Sequence, residues 1–306
     1  MLGSVKGAKI YVGLSGGVDS AVSAALLRQQ GARVVGVFIK GWYPPGLPCT
    51  WAEDRRDAMR VAAHLHIPFI TLDASAEYKK SVIDYLLSEY KEGRTPNPDV
   101  MCNKDIKFGV FYGFAKQRGA DAIATGHYRA GDKNQTYFLW AVPKEVLSQT
   151  LFPVGNLDKQ EVRKLAARLG LPVARKKDSQ GVCFLGSVSV KEFLEHELGS
   201  NAAILHTIGE RIDGRYVVGK DVEAGTLQLA REPKTPGRDI RFRDAQWHGA
   251  PAAATTAQTR YRGEYLRGRI EGDAFFADAV PREMPSPGQS IVFYNQEELV
   301  GGGIIV

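Results

Sequence analysis

The first 130 residues alternate short apolar runs with longer amphipathic runs. The apolar runs at residues 9–14, 33–39, 68–72 and 121–124 predict buried strands. The amphipathic runs at residues 18–30, 51–65, 75–92 and 103–113 predict helices. Strands that are separated by helices pair in parallel, with the helices covering both faces of the sheet. The pattern therefore predicts an α/β domain with a doubly wound parallel sheet.

The second half of the chain loses this rhythm. After predicted helices at 159–169 and 190–198, Gly199-Ser200-Asn201 interrupts the pattern, and residues 204–229 form a short β-like piece. From Pro233 onward, apolar and polar residues alternate between glycine and proline turns, which is typical of a small β-barrel. We predict three domains, at residues 1–199, 200–232 and 233–306, of which the central one is reduced.

A glycine turn joins the first predicted strand to the first predicted helix. Its residues are Gly13, Leu14, Ser15, Gly16, Gly17, Val18, Asp19 and Ser20. Glycines allow backbone N–H groups to converge on a phosphate, and serine hydroxyls add donors. Asp19 beside a phosphate requires a cation, so we expect it to hold Mg²⁺. The alternative is an ordinary strand-to-helix turn, which glycine and serine also suit.

Ser-Gly-Gly-Val-Asp-Ser resembles the PP-loop of the N-type ATP pyrophosphatases. That resemblance implies that ATP is cleaved to AMP and pyrophosphate, with an oxygen of the substrate adenylated and then displaced. The loop lacks the Gly-Lys-Ser/Thr ending of a Walker loop and does not match G-x-G-x-x-G.

Composition places further bounds. No apolar run approaches the ~18 residues of a membrane span, and the N-terminus lacks the apolar core of a signal peptide, so we expect a cytoplasmic protein without a membrane partner. A formal net charge of +6 is compatible with a polyanionic partner. The three cysteines, Cys49, Cys102 and Cys183, lack the spacing of a zinc finger.

Two of these cysteines lie in polar loops. Cys102 follows Asn97-Pro98-Asp99, and Asn103 is placed to cap a following helix, so Cys102 is expected near a helix N-terminus, which favours the thiolate. Cys183 follows Lys176 and Lys177 in an electropositive loop. Taken alone, a free cysteine is more often a small buried hydrophobic residue than a nucleophile.

Most of the chain resembles one family, the bacterial tRNA-specific 2-thiouridylases. The most specific matches are Asn-Pro-Asp-x-x-Cys-Asn at residues 97–103 and Lys-Asp-Ser-x-Gly-x-Cys-Phe at residues 177–184. Others lie at residues 124–128, 151–155, 259–262, 287–289 and 301–303. Differences from the family pattern are Ile39 in place of a methionine, Asn134 in place of an aspartate, and a shortened central segment.

This resemblance implies thiolation at C2 of the wobble uridine, residue 34 of tRNA. ATP adenylates the C2 oxygen, and sulfur then displaces AMP. Cys183 receives a persulfide from a sulfur-relay protein or a cysteine desulfurase, and Cys102 is the partner nucleophile, so that a disulfide between them follows each turnover. Asp99 could accept a proton beside Cys102.

The resemblance also implies binding residues. Ile39 and Gly126 would seat the nucleotide, and Asn97, Pro98 and Asp99 would contact the target base in the anticodon stem-loop. Further tRNA contacts are implied at Lys133, Asn134 and Gln135, and at Arg260 and Tyr261. We expect the protein to act as a monomer.

Three alternatives stay open at this stage. The chain could be a PP-loop synthetase that acts on a small molecule, with incidental cysteines. It could use Asp99, Cys102 and Cys183 as ligands of an iron-sulfur cluster in place of the persulfide. It could also be a tRNA-binding module without catalysis, although intact Ser15, Asp19 and Ser20 argue against that.

Overall fold

The computed structural model describes residues 4–47, 50–177 and 188–306, apart from the side chain of Asp132. In the first half the strands are β1 (Lys9–Gly13), β2 (Arg33–Lys40), β3 (Phe69–Asp73), β4 (Ala122–Ala124) and β5 (Thr150–Leu151). The helices there are α1 (Val18–Gln29), α2 (Trp51–His64), α3 (Ser75–Tyr78), α4 (Asp84–Lys91), α5 (Pro98–Met101), α6 (Phe111–Gln117), α7 (Lys144–Ser148) and α8 (Lys159–Arg168).

Five parallel strands form one sheet in the order β3-β2-β1-β4-β5. Its central strand is β1, where Ile10 and Val12 are fully buried. Helices α1, α2 and α8 contribute apolar residues to the core beside β1 and β2. The predicted doubly wound α/β fold is confirmed. The two-residue strand β5 was not predicted, because so short a strand has no periodicity.

The second half begins with α9 (Val190–Leu198) and α10 (Ala202–Leu205). A three-stranded antiparallel sheet follows, made of β6 (Arg211–Ile212), β7 (Arg215–Asp221) and β8 (Thr226–Ala230). The remaining strands are β9 (Asp239–Trp247), β10 (Thr256–Gln258), β11 (Leu266–Glu271), β12 (Ala274–Ala277), β13 (Ser290–Asn295) and β14 (Glu298–Ile305).

Strands β9 to β14 close into a barrel in the order β10-β11-β12-β9-β14-β13. Its interior is filled by apolar side chains, among them Phe242, Phe275 and Phe293, all nearly inaccessible to solvent. The predicted C-terminal β-barrel and the small β piece before it are confirmed. Closure of the barrel removes the free strand edges that a six-stranded open sheet would expose.

The chain divides into two compact units. Unit 1 comprises Met1–Lys79, Cys102–Thr136 and Val142–Val188, and unit 2 comprises Lys80–Met101, Tyr137–Ala141 and Ser189–Val306. The division into domains at residues 1–199, 200–232 and 233–306 stays a prediction. Within the described ranges, no helix combines the length and the apolar character that crossing a membrane requires.

Two helices differ from their predicted form. The run at 75–92 is helical throughout, but Lys79–Ile83 is wound as a π-helix between α3 and α4. The helix that was predicted to start after Asn103 starts earlier, because α5 begins at Pro98 and Cys102–Val110 is a π-helix. Asn103 therefore does not cap a helix, and the prediction of Cys102 at a helix N-terminus is wrong.

Candidate functional site

The phosphate loop, residues 13–20, connects the end of β1 to the start of α1. Gly16 has φ +78°, and a Cβ at this residue would overlap the carbonyl oxygen of Asp54. The Ser15 N–H donates to Ser20 Oγ at 3.2 Å, and the Gly17 N–H donates to Ser15 Oγ at 3.3 Å. Leu14, Val18 and Ser20 are buried, which ties both ends of the loop to the core while Ser15 is exposed. The loop is thus a backbone cradle that only glycine at position 16 permits.

Asp19, in the first turn of α1, is held by two residues from later in the chain. Lys159 Nζ lies 2.6 Å and 2.9 Å from the two carboxylate oxygens, and the Tyr128 hydroxyl donates to Oδ1 at 2.7 Å. Lys159 is the first residue of α8, whose N-cap is Asp158 with a capping box. These contacts orient a partly exposed carboxylate, 30 % accessible, at the phosphate loop.

The predicted nucleotide residues lie at the carboxyl end of the sheet. Gly126 follows β4, and a Cβ at this residue would lie 2.8 Å from the backbone nitrogen of Ser20, so its backbone packs on the start of α1. Ile39 is half-buried near the end of β2, in register with Leu72 of β3. Parallel strands present their ligand sites at this end, as expected from the topology.

His127 is a buried neutral histidine beside Gly126. Its Nδ1 lies 2.9 Å from Thr125 Oγ1, and its ring packs against Phe108 at 5.6 Å between centroids. Burial lowers the pKa of His127 to about 3, with a smaller effect from the charge of Lys107. The imidazole is therefore uncharged at neutral pH.

Lys176 anchors the start of the segment that carries Cys183. Its Nζ lies 2.7 Å from Asp54 Oδ1 and 2.7 Å from Asp57 Oδ2, both on α2. Burial lowers the pKa of Lys176, but the hydrogen bonds to the two aspartates outweigh it and raise the pKa above its usual value. Cys183 itself, and Cys49, lie outside the described residues.

The remaining cysteine and the predicted base-contacting residues belong to different units. Cys102, in unit 1, is buried with 4 % of its surface accessible. Asn97, Pro98 and Asp99 belong to unit 2, where Asn97 Oδ1 accepts a hydrogen bond from the Asp99 N–H at 3.2 Å. The described residues contain no group of three or more His, Cys, Asp or Glu side chains that could hold a metal ion.

The residues predicted to contact tRNA in unit 1 make several internal hydrogen bonds. Lys133 ends a short 3₁₀ turn at Gly131–Lys133. Asn134 Oδ1 accepts hydrogen bonds from the N–H and hydroxyl of Thr136, at 2.9 Å and 2.8 Å. Gln135 Oε1 accepts from the Tyr128 N–H at 3.0 Å. Gln135 therefore braces the tyrosine that reaches Asp19, and its contact with tRNA stays a prediction.

Arg260 and Tyr261 lie in unit 2, between β10 and β11. The Tyr261 ring is 4.5 Å from the ring of Phe138 and 6.0 Å from that of Tyr137, between centroids. Arg260 is exposed, and its Nη1 is 3.2 Å from Glu283 Oε2. The Tyr261 ring and the exposed guanidinium of Arg260 therefore lie side by side, a combination suited to binding nucleic acid.

Comparison with known proteins decides the family. The chain matches the family described as "tRNA methyl transferase HUP domain" over residues 8–133 and 129–187, and the "Aminomethyltransferase beta-barrel domain" over residues 238–305. It is 39 % identical to the tRNA-specific 2-thiouridylase MnmA of Lacticaseibacillus paracasei, over 97 % of this chain and 94 % of that protein. The chain belongs to the tRNA-specific 2-thiouridylase family.

Other 2-thiouridylases agree with this assignment. MnmA of Idiomarina loihiensis is 40 % identical over 97 % of this chain and 95 % of that protein. The alignment spans 354 residues against the 306 of this chain, so that relative carries segments that this chain lacks.

Solved structures resemble part of the chain. They include the U34-tRNA thiolase NcsA of Methanococcus maripaludis with its 4Fe-4S cluster, with 19 % identity and a TM-score of 0.42 over 65 % of this chain and 71 % of that one. A 4-thiouridine synthetase in an RNA complex with bound ATP shows 22 % identity and a TM-score of 0.40, over 65 % of this chain and 52 % of that one.

Sequence reasoning missed three residues of the candidate site, namely Lys159, Tyr128 as a partner of Asp19, and Asp54. The charged first turn of α8 was visible in the sequence, but nothing in it indicated which carboxylate Lys159 would reach. Tyr128 lies in the matched motif at residues 124–128 and Gln135 lies shortly after it, and that proximity in the sequence was the one available signal for their contact.

Proposed function

We propose that this protein is an ATP-dependent tRNA 2-thiouridylase that replaces the C2 oxygen of uridine 34 with sulfur. The observation that carries the proposal is the phosphate loop with Asp19 held at its rim, in a chain of the 2-thiouridylase family. The C2 oxygen attacks the α-phosphate of ATP and pyrophosphate leaves. Sulfur then forms the C–S bond at C2, and AMP departs with the former oxygen.

The phosphate loop supplies the ATP site. Ser15 is exposed and Ser20 faces the same turn, so their hydroxyls and the loop N–H groups can bind phosphate oxygens. In this proposal Ile39 and Gly126 seat the nucleotide. Position 16 must be glycine because of its φ of +78° and the neighbouring Asp54 carbonyl.

Asp19 fits a Mg²⁺ ion that is bound mainly by phosphates. The described residues hold no group of three or more His, Cys, Asp or Glu side chains that could bind a metal ion without further ligands. Mg²⁺ commonly takes one or two carboxylates together with nucleotide phosphates and water. When bound, the ion neutralises charge on the departing pyrophosphate. Tyr128 and Lys159 keep the Asp19 carboxylate aimed at the loop.

The two cysteines carry the sulfur. Cys183 bears a persulfide delivered by a sulfur-relay protein or a cysteine desulfurase, and Cys102 attacks the Cys183 sulfur to free the terminal one. The product is a disulfide between Cys102 and Cys183, which an external thiol reduces before the next turnover. Asn97, Pro98 and Asp99 hold the base, with Asp99 as proton acceptor, while Lys133, Asn134, Gln135, Arg260 and Tyr261 contact the anticodon stem-loop.

Labelled sulfur tests these roles. A cysteine desulfurase fed radioactive cysteine should label the wild-type protein, and Cys183→Ser should lose that label because serine cannot form a persulfide. Cys102→Ser should keep the label but fail to thiolate tRNA. Cys49→Ser is the control and should match the wild type in both assays.

Other outcomes contradict the assignment. Label that is lost in Cys102→Ser and kept in Cys183→Ser reverses the two roles. Thiolation without label on either cysteine would favour an iron-sulfur cluster held by Asp99, Cys102 and Cys183. Asp19→Ala should abolish tRNA-dependent pyrophosphate release and the effect of Mg²⁺ on ATP affinity, and unchanged values for both would remove Asp19 from the metal site.

A further inference from the structure

A buried carboxylate in unit 2 binds two arginines from distant parts of the sequence. Glu89, on α4, is 5 % exposed. Arg94 donates to it from Nε and Nη2 at 2.7 Å and 2.8 Å, and Arg243 of β9 donates from Nη2 at 3.0 Å and 3.1 Å. The hydrogen bonds from Arg94 lower the pKa of Glu89, and burial opposes them. A buried carboxylate of this kind requires a cationic partner, because an unpaired charge is costly there.

The backbone next to Arg94 is held as well. The Thr95 N–H donates to the Pro287 carbonyl at 2.8 Å, and Gln289 Nε2 donates to the Thr95 carbonyl at 2.7 Å. Lys220 of β7 donates to the Gly93 carbonyl at 3.0 Å. Both hydrogen-bonding groups of the Thr95 backbone are thus satisfied by the turn before β13.

These contacts end two residues before the residues that meet the target base. Pro96 and Pro98 restrict the backbone on either side of Asn97. A segment with two fixed φ angles transmits a displacement of Thr95 to Asn97 and Asp99 more directly than a flexible loop would. We refer to Glu89, Arg94, Arg243, Pro287 and Gln289 as the loop clamp.

We propose that the loop clamp positions Asn97, Pro98 and Asp99 for the target base, and that the barrel acts in this way on the adenylation step in addition to any contact with tRNA. The inference rests on the proposed function. Arg243 is a positioning residue, since it acts through Glu89 and Arg94. Lys220 of β7 donates to the same segment, at the Gly93 carbonyl.

Arg243→Met tests the clamp with the full chain, an unmodified tRNA transcript and Mg-ATP. Glu89 keeps Arg94 in this variant, so the fold is preserved. The matched control is Arg241→Met, on the same strand, whose guanidinium lies 3.7 Å from the exposed Asp273. Three quantities are measured: kcat for tRNA-dependent pyrophosphate release, the Kd for tRNA, and hydrogen exchange of peptides covering residues 94–101.

The expected result for Arg243→Met is a kcat reduced about tenfold, because small displacements of reacting groups cost at least this much. The Kd should stay within about twofold of the wild type, since no phosphate contact is removed. Exchange at residues 94–101 should accelerate in this variant alone. Arg243→Lys should have a kcat between those of Arg243→Met and the wild type, because an ammonium keeps the positive charge but lacks the planar set of donors of a guanidinium.

Several results would overturn the inference. An unchanged kcat in Arg243→Met, an equal fall in Arg241→Met, or a fall in kcat without faster exchange at residues 94–101 each does so. A wild-type protein that releases no pyrophosphate with tRNA instead overturns the proposed function, and the clamp then has no base to place. The wild-type assay therefore separates the two failures.

Discussion

The phosphate loop and residues 93–99, here called the 93–99 loop, are held in opposite ways. Hydrogen bonds within the phosphate loop join residues two to five apart, such as Ser15 and Ser20. The 93–99 loop is held by Arg243 through Glu89, at a separation of 154 residues, and by Gln289, at a separation of 194. A loop built from local contacts can be recognised from its own residues, whereas a loop held from a distance cannot.

The difference also concerns the kind of group that does the holding. In the phosphate loop the decisive atoms belong to the backbone, and one glycine conformation determines where they point. In the 93–99 loop the decisive atoms are ionised side chains and the edge of a barrel turn. Substitutions within the phosphate loop should therefore cause large losses of activity. Substitutions at distant residues that hold the 93–99 loop should cause smaller losses.

The largest effect is expected for Gly16→Ala. Its Cβ would overlap the Asp54 carbonyl at φ +78°, which should shift the loop, lower kcat for pyrophosphate release by at least about a hundredfold and reduce the free energy of unfolding by about 1–3 kcal/mol. Gly7→Ala is the control, with the same φ and nothing within 4 Å of a Cβ. Urea unfolding and the pyrophosphate assay measure both, and near-normal activity of Gly16→Ala would contradict the cradle.

A smaller effect is expected for Gly288→Ala, a substitution in the turn before β13 that contacts the 93–99 loop. Gly288 has φ +90°, and its Cβ would lie 2.9 Å from the Thr95 backbone, so Thr95 must move. We expect kcat for pyrophosphate release to fall about tenfold. Gly272→Ala, at φ +61° with open space around it, should retain wild-type kcat. Equal activities of the two variants would mean that the barrel turn does not position the loop.

His127, which lies beside Gly126, and Glu89, which holds the 93–99 loop through Arg94, should also differ in how they affect stability at acidic pH. The folded protein keeps His127 neutral down to about pH 3, whereas the unfolded chain protonates it near pH 6.5, so stability falls as pH drops through this window. Between pH 7 and pH 5 this loss should be about 2 kcal/mol in the free energy of unfolding. His127→Asn should lack that component, as followed by urea titrations at both pH values.

Glu89 behaves differently because its pKa is lowered. Its contribution is complete above the ordinary carboxyl pKa and is lost only as pH falls through the lower folded value. Glu89→Gln should therefore show the same loss between pH 7 and pH 5 as the wild type. A wild-type protein whose stability is the same at the two pH values would contradict the assignment of His127 as buried and neutral.

The smallest effect is expected for Arg260→Ala. One lost phosphate contact should reduce the slope of log K for tRNA against log salt by about 0.9 on a duplex or about 0.7 on a single strand. The ion pair with Glu283 is exposed, so stability should hardly change. Arg269→Ala, whose guanidinium pairs with the exposed Glu271, is the control. An unaltered slope in filter binding would leave Arg260 as a solvated surface residue.

Local pattern was sufficient for much of the protein. The parallel strands β1 to β4, the barrel and the phosphate loop followed from periodicity and from glycine chemistry, because these depend on residues that are close in sequence. Capping was less reliable. Asn103 had the chemistry of a cap, but the helical backbone had already started at Pro98, where Asn97 accepts the hydrogen bond from Asp99.

The sequence by itself thus determined the fold class, the family and the location of the phosphate loop. Only the tertiary structure decided that Lys159 and Tyr128 hold Asp19, that Lys176 pairs with Asp54 and Asp57, and that Arg243 reaches Glu89. The physical reason is that an ion pair depends on distance and burial, and every lysine or arginine in a chain with 40 of them offers the same charge to every carboxylate. Folding selects the partner.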